Sequence, residues 1–552
     1  MMRLAVFILL QLMVANVFAQ PANIVTNQGI TSAFHQANLG KILFTAKNIA
    51  ASELRQEDVL QEYTFTNRSD LFMTVFMGNS ITNYLHYLAP DLRADSVVKI
   101  GNYQFALYVD GRLVYESNLY PGAPNKSVQD TATFISKPLV DNKHEGVYWS
   151  QYYWGRFLMN GGDSALTDGK HLLHMKIRPY VKLNEAVKVG DIIAEGSVTL
   201  TVQREVQADI AKVHLNPIKP YPGFGISKEK FNREKILALK ANIEEGVFKH
   251  INGVVVVSNG NLLIEEYFND ENRNSLHNPR SVGKSFASTV TGIAINEGYL
   301  KSVEQQLKEF YDLHKFEQYA EEKEHVTIKD LLTMSSVFDG DDNTNSPGNE
   351  ENMYPTENWV SFALNLPVNH TRPAGEWHYF TAGVVLLGDI LNKSVPGGLE
   401  KYADIKLFKP LGIKEYKWQY TPQHVANTAG GIQMNALDFA KYGQLYKNGG
   451  RWNGKQILPA QWVHKSFARH KKIPGRVEEY YGYLFWNKKY KVAGREYETF
   501  YCAGNGGNKI FVFPNHPWII VITASAYGAM YAHPQVDKMM TEYIIPALVG
   551  NK

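Results

Sequence analysis

The sequence predicts a multidomain chain: an N-terminal all-β sandwich followed by an α/β (α+β) domain whose antiparallel sheet is flanked by helices. Three observations predict it. Short apolar/polar alternating runs fill the first half. A proline- and glycine-punctuated stretch separates the halves. The second half places a hairpin early, strands late, and helices between and after. Its length of 552 residues favours several domains, and 44% apolar with 20% charged residues is a globular balance.

The first half supports its part as follows. Residues 103–109 and 112–115 alternate around an Asp110-Gly111 turn, which reads as a hairpin. Residues 172–177 and 197–202 alternate in the same way, so residues 35–213 read as a sandwich. The aromatic run containing Tyr148, Trp149, Tyr152, Tyr153 and Trp154 has two readings, a sugar-stacking platform or sandwich core. A glycan or protein ligand of this region is therefore an expectation with a structural alternative.

Residues 214–226 form the expected linker, because Pro217, Pro220, Pro222, Gly223 and Gly225 interrupt any helix or central strand. Residues 227–552 form the second domain. A helix is expected over 228–245, then a hairpin with strands at 254–257 and 262–264 around Asn259-Gly260. Apolar residues at Val282, Phe286, Val290 and Ile293 recur at helical spacing, and Gly298 sits where a cap would end that helix. Strands at 509–513 and 518–523 precede a last helix from about His533 to Ile545, stopped by Pro546.

The formal net charge of +3 argues neither for nucleic acid nor for an anionic membrane surface. Arg3, an apolar run over 4–14 and the small residues before Gln20 predict a secretory signal peptide over 1–19, cut near Ala19. The expected location is secreted or periplasmic. No later run is apolar enough for a transmembrane span. Cys502 is the single cysteine, so no internal disulfide can form. No metal-ligand spacing, Walker loop or dinucleotide fingerprint is present, and no cofactor is expected.

Catalytic chemistry enters at residues 278–288, NPRSVGKSFAS. Ser281 and Lys284 stand three apart on the expected helix and share a face. A serine hydroxyl needs a base. A lysine becomes one when burial and a helix N-terminus lower its pKa. An N-capping serine beside a snorkelling lysine is the equal alternative on this stretch alone. Ser-x-x-Lys recurs twice. Ser227 and Lys230 read as a charged helix start with Ser227 as cap. Ser96 and Lys99 read as entering a strand, on opposite faces.

Three further stretches decide between the readings: PAGEWHYFT (373–381), GGIQMNALDFAKYGQLYKNGGRWNGKQIL (430–458) and CAGNGGN (502–508). With SVGKS, in this order, they resemble the serine β-lactamase-like hydrolases. That superfamily includes class C β-lactamases, D-alanyl-D-alanine carboxypeptidases, carboxylesterases and 6-aminohexanoate-dimer hydrolases. TIKDLLTMSSVFD, FKPLGI and YGYLFW add weaker matches, and the resemblance covers roughly residues 230–548.

The resemblance implies a β-lactamase/transpeptidase-like fold and an acyl-enzyme on Ser281, with Lys284 as base. Tyr379 would relay the proton, as phenolate or as hydroxyl. Thr381 replaces the asparagine of the Tyr-x-Asn motif. Cys502-Ala503-Gly504 replaces the Lys-Thr-Gly strand, so Gly504, Asn505 and Gly506 would line the substrate side. The amides of Ser281 and Asn505 would form the oxyanion hole. Cys502 reads as a small buried residue. The third-motif cation is absent, with Lys509 five residues on. The implied activity is therefore hydrolysis of an ester or amide that needs no carboxylate anchor. Two alternatives are a D-peptide or cell-wall peptide amidase or carboxypeptidase, and a non-catalytic envelope protein that binds through its N-terminal half.

Overall fold

A computed structural model describes residues 23–122, 125–141, 153–183, 186–203, 208–529 and 531–550. The expected signal peptide lies outside these residues, as do Tyr148, Trp149 and Tyr152.

The region expected as an all-β sandwich holds two sheets over one core, together with helices. Strands Glu62–Thr66, Ala194–Gln203, Gly169–Leu183, Gly101–Val109 and Arg112–Asn118 lie side by side in the larger sheet. Ile42–Thr45, Leu71–Phe76 and Phe134–Val140 form the smaller one. The Asp110-Gly111 turn takes φ of 51° and 79°, the left-handed pair that closes a two-residue hairpin. Helix Ile81–Leu88 buries Ile81 and Leu85 in the same apolar cluster as both sheets. Tyr153 and Trp154 are also buried there, which gives those two aromatic residues the core reading.

The second half is built on a nine-stranded sheet, to which both ends of the region contribute. Strand Ile251–Ser258 lies between its hairpin partner Asn261–Tyr267 and the late strand Trp518–Ala524, antiparallel to both. Asn508–Val512, Arg495–Gly504 and Trp486–Val492 continue the sheet outward, all antiparallel. Period-two alternation sends successive side chains to two different cores. Val255, Val257, Cys502 and Ile510 face helices Gly283–Asn296, Thr381–Ser394 and Ala436–Lys447. Val254, Val256, Tyr501 and Phe511 face Arg233–Glu244 and the C-terminal helices.

Four local expectations need correction. The helix after the linker starts at Arg233, because the Asn232 side chain accepts from the Lys235 amide and caps it. Ser227 instead accepts from Glu229 N in a local turn. The expected linker is partly ordered into the sheet, where Gly225–Ile226 pairs in parallel with Asn261 and Leu262. Ser96 sits in the short helix Ala94–Val97 rather than a strand, and both it and Lys99 are solvent-exposed. Pro546 does not stop the last helix. The wide turn Met540–Ile544 loosens the backbone before it, and the helix resumes over Ile545–Val549.

Candidate active site

Ser281 sits in the tight turn Arg280–Val282, which runs directly into helix Gly283–Asn296. Arg280 holds φ of 54°, a left-handed conformation that costs a non-glycine residue energy and that the surroundings must impose. Gly504 packs directly against this turn. A Cβ at Gly504 would lie 1.8 Å from the Pro279 carbonyl oxygen and 3.2 Å from Ser281 N. Only glycine lets the end of strand Arg495–Gly504 approach the turn Arg280–Val282 so closely.

Helix Gly283–Asn296 is buried nearly all round, so Lys284 is only 2% exposed. Its Nζ donates to Ser281 Oγ at 2.8 Å and to the Ala429 carbonyl at 2.6 Å. Burial lowers the Lys284 pKa; Glu350 and then Asp342 oppose the shift as nearby negative charges. Lysine is thereby moved toward the neutral form that can accept a proton.

Tyr379 packs its ring against Trp377 and Trp486, and Lys284 Nζ lies 5.2 Å from the ring centre. Burial raises the pKa of its hydroxyl, and the nearby Ser281 side chain opposes the rise. The upward shift favours the phenol over the phenolate at neutral pH. Ser281, Lys284 and Tyr379 therefore meet at one point.

Of the glycine-rich stretch expected on the substrate side, Gly504 and Gly506 are not among the residues lining the Ser281 pocket, and Asn505 is. Asn505 lines the same pocket as Ser281, a cavity of about 290 Å³. Its side chain accepts from Gly528 N at 2.8 Å, which ties it to the neighbouring loop. Gly506, with φ of 89°, packs under the Tyr527 ring. Thr381 is elsewhere: it opens helix Thr381–Ser394, fully buried, and its amide donates to Asp342 Oδ2 at 2.9 Å. It does not line the pocket, so its part is to hold Asp342.

Cys502 is buried against the helix that follows Ser281, and its thiol is pushed up to about 12 by burial. It is no nucleophile. Lys509 is on the opposite sheet face, with its Nζ 4.7 Å from the Tyr501 ring centre, and takes no part in the pocket.

Several pocket residues carried no sequence signal. Glu350, Tyr354, Trp359, Gln419 and Asn427 all line it. Asp342 links Glu350 to Tyr379. Its backbone N–H donates to the Tyr379 carbonyl at 2.8 Å, and its side chain accepts from Glu350 N at 2.9 Å. Burial, with Glu350 adding to it, raises its carboxyl to about 7. These residues lie on loops and short helices without a motif spacing, so only the fold gathers them.

The family model described as Beta-lactamase matches residues 239–535, more than half of the sequence. The chain belongs to the β-lactamase family. It is accordingly a serine hydrolase of that family. No curated protein matches the chain. Among solved structures it is similar to a candidate 6-aminohexanoate-dimer hydrolase from Bacillus anthracis. That match has 20% identity over 52% of this chain and 78% of the other, with a TM-score of 0.44. It is similar to a family VIII carboxylesterase at 17% identity over 55% and 93%, with a TM-score of 0.43. It is also similar to a D-stereospecific amidohydrolase from Streptomyces sp. at 14% identity over 55% and 95%, with a TM-score of 0.41. Among the described residues, no helix is long and apolar enough to cross a membrane.

Proposed function

We propose that this β-lactamase-family hydrolase cleaves a small-molecule ester or amide through an acyl-enzyme on Ser281. The observation that carries the reading is the 2.8 Å contact between Ser281 Oγ and the buried Lys284 Nζ. Lys284, made less basic by burial, takes the hydroxyl proton as Oγ attacks the substrate carbonyl. The amides of Ser281 and Asn505 stabilise the oxyanion. The neutral Tyr379 hydroxyl passes a proton to the leaving group. The resulting phenolate then takes one from the water that releases the acyl group, and Lys284 returns its proton to Ser281 Oγ as the acyl bond breaks.

The lack of a lysine or histidine in the third motif, together with Lys509 facing the other core, favours substrates that need no carboxylate anchor. The N-terminal half is read as a sandwich-type module covering residues 35–213. The chain is read as exported after cleavage near Ala19.

Purified Ser281→Ala assayed on p-nitrophenyl acetate and butyrate tests the nucleophile. Loss of turnover, with loss of the acyl adduct in intact-mass spectra, is expected. Full activity in the variant would sink the assignment.

A further inference from the structure

We propose that Glu271, His277 and Asn508 form a hydrogen-bonded relay that positions the Asn505 amide as an oxyanion donor. The inference deepens the acyl-enzyme reading above and rests on it. None of the three lines the Ser281 pocket, so they are positioning residues that act through Asn505.

The turn that carries Asn505 needs outside support. Strands Arg495–Gly504 and Asn508–Val512 pair antiparallel, with Gly504 opposite Asn508. Asn505, Gly506 and Gly507 alone connect them. The two glycines take φ of 89° and 96°, a region that glycine enters and leaves at little cost. The Gly528 amide holds the Asn505 side chain, which leaves the Asn505 backbone to be held separately. An oxyanion donor works by being fixed before charge develops.

Asn508 supplies that hold. It is only 1% exposed. Its Nδ2 donates to the Asn505 and Ala524 carbonyls, both at 2.8 Å. Its Oδ1 accepts from Ala524 N at 2.9 Å and faces His277 Nε2 at 2.7 Å. The amide then has both its hydrogens and both its lone pairs in use. Turned over, it would set its oxygen against two carbonyl oxygens, so the network fixes its orientation.

His277 carries the hold back to the nucleophile. Asn508 Oδ1 can only accept, so His277 Nε2 is the donor. The other ring nitrogen lies 3.2 Å from Glu271 Oε1, which also accepts from Asn252 Nδ2 at 2.8 Å. Glu271 thus holds the far edge of the ring. His277 stands on the segment that leads directly into Ser281. The His277–Asn508 contact spans 231 positions of sequence and ties that segment to the turn bearing Asn505. The two amides proposed for the oxyanion hole therefore share one restraint.

Phenylboronic acid and three variants test the relay. Ser281 Oγ adds to boron as its proton passes to Lys284, and the tetrahedral anion sets an oxygen where the oxyanion forms. His277→Leu removes the donor to Asn508, whereas His277→Gln keeps one. On p-nitrophenyl butyrate, His277→Leu should lower kcat about ten- to hundred-fold with KM changed less than about two-fold. Its inhibition constant for phenylboronic acid should rise by a similar factor. His277→Gln should recover most of both, and Glu271→Gln should shift both a few-fold in the same direction. Unchanged kcat in His277→Leu, or lowered kcat with unchanged boronate inhibition, would overturn the relay. Equal losses in the Leu and Gln variants would do the same. In case His277→Leu does not fold, Glu271→Gln decides: parallel losses in the two readouts support the relay, and no loss refutes it. A wild type that neither turns over the butyrate nor is inhibited by the boronate would overturn the acyl-enzyme reading itself.

Discussion

Lys284 Nζ lies 2.8 Å from Ser281 Oγ, inside a helix face that leaves the lysine only 2% exposed. Position and protonation are coupled here, since the burial that fixes the amine also lowers its pKa. Lys284→Ala is expected to lower kcat/KM by about 10²–10⁴-fold, the usual range for a lost general base. In the wild type, kcat/KM should rise with pH as Lys284 loses its proton. That rise should come below the ordinary lysine range, since the shift is downward. A pH–rate profile of wild type against variant checks this, and an identical rising limb in both would assign the titration to another group.

The close approach of Gly504 to Pro279 makes a second outcome specific. A Cβ there would stand 1.8 Å from a carbonyl oxygen, and backbone has no flexible end to move aside. Gly504→Ala should push the Asn505 amide away from Ser281. The expected cost is about 10²-fold or more in kcat, comparable to losing one oxyanion donor, with a lower melting temperature. Retained kcat on p-nitrophenyl butyrate would remove Asn505 from the proposed role.

The N-terminal half should matter to turnover more than to stability. It grips helix Glu350–Met353, which carries Glu350, at two points: Arg156 is ion-paired with Glu351, and the Tyr120 hydroxyl donates to Asn352 Oδ1. The Arg156–Glu351 pair is partly exposed, with side-chain exposures of 33% and 44%, and such pairs contribute about 0–1 kcal/mol. Arg156→Ala combined with Tyr120→Phe should leave the melting temperature nearly unchanged while raising KM several-fold. Exchanging the charges, Arg156→Glu with Glu351→Arg, should restore KM in part. Steady-state kinetics beside thermal melts separates the two effects.

Lys509 gives a stability prediction with a defined pH sign. Burial lowers its pKa to about 7, well under the ordinary lysine value. The unfolded chain therefore binds more protons between about pH 7 and the ordinary lysine pKa of roughly 10.4. The destabilisation is fully present below about 7 and fades as pH rises toward the unfolded value. Lys509→Met should raise stability at pH 7 by about 1–4 kcal/mol. The gain should vanish near pH 10.5. Because Lys509 faces the core away from Ser281, kcat/KM should change little. Thermal melts across pH test the sign, and a gain that grows with pH would refute it.

The hairpin at Asn259-Gly260, the helix after Ser281 and the late strands were legible because each is set by local periodicity and turn chemistry. Asn259 and Gly260 take φ of 48° and 73°, as a two-residue hairpin turn requires. Helix ends were less legible. The cap at Asn232 was obscured by the earlier Ser227, and a helix passed Pro546 because a wide turn removed the clash.

Ser281, Lys284 and Tyr379 could be grouped from the sequence because each sits in a short motif whose order along the chain carries information. Thr381 shows the limit of that reasoning: motif position marked it for the substrate side, yet the helix it opens turns it toward Asp342. Glu350, Tyr354 and Trp359 belong to no spacing, and only the folded chain brings them to the pocket that Ser281 lines.

The sequence by itself determined the β-lactamase-like core and the placing of Ser281 and Lys284 one turn apart, because hydrophobic period and i,i+3 geometry act over one or two helical turns. Tertiary structure decided what surrounds them. It put Lys509 in the other core, Glu350 at the pocket wall, and Arg156 and Tyr120 against the helix that carries Glu350. Those relations join residues as many as 232 positions apart, as Tyr120 and Asn352 are. Local propensity holds no information about such pairs, which form only when packing closes the chain on itself.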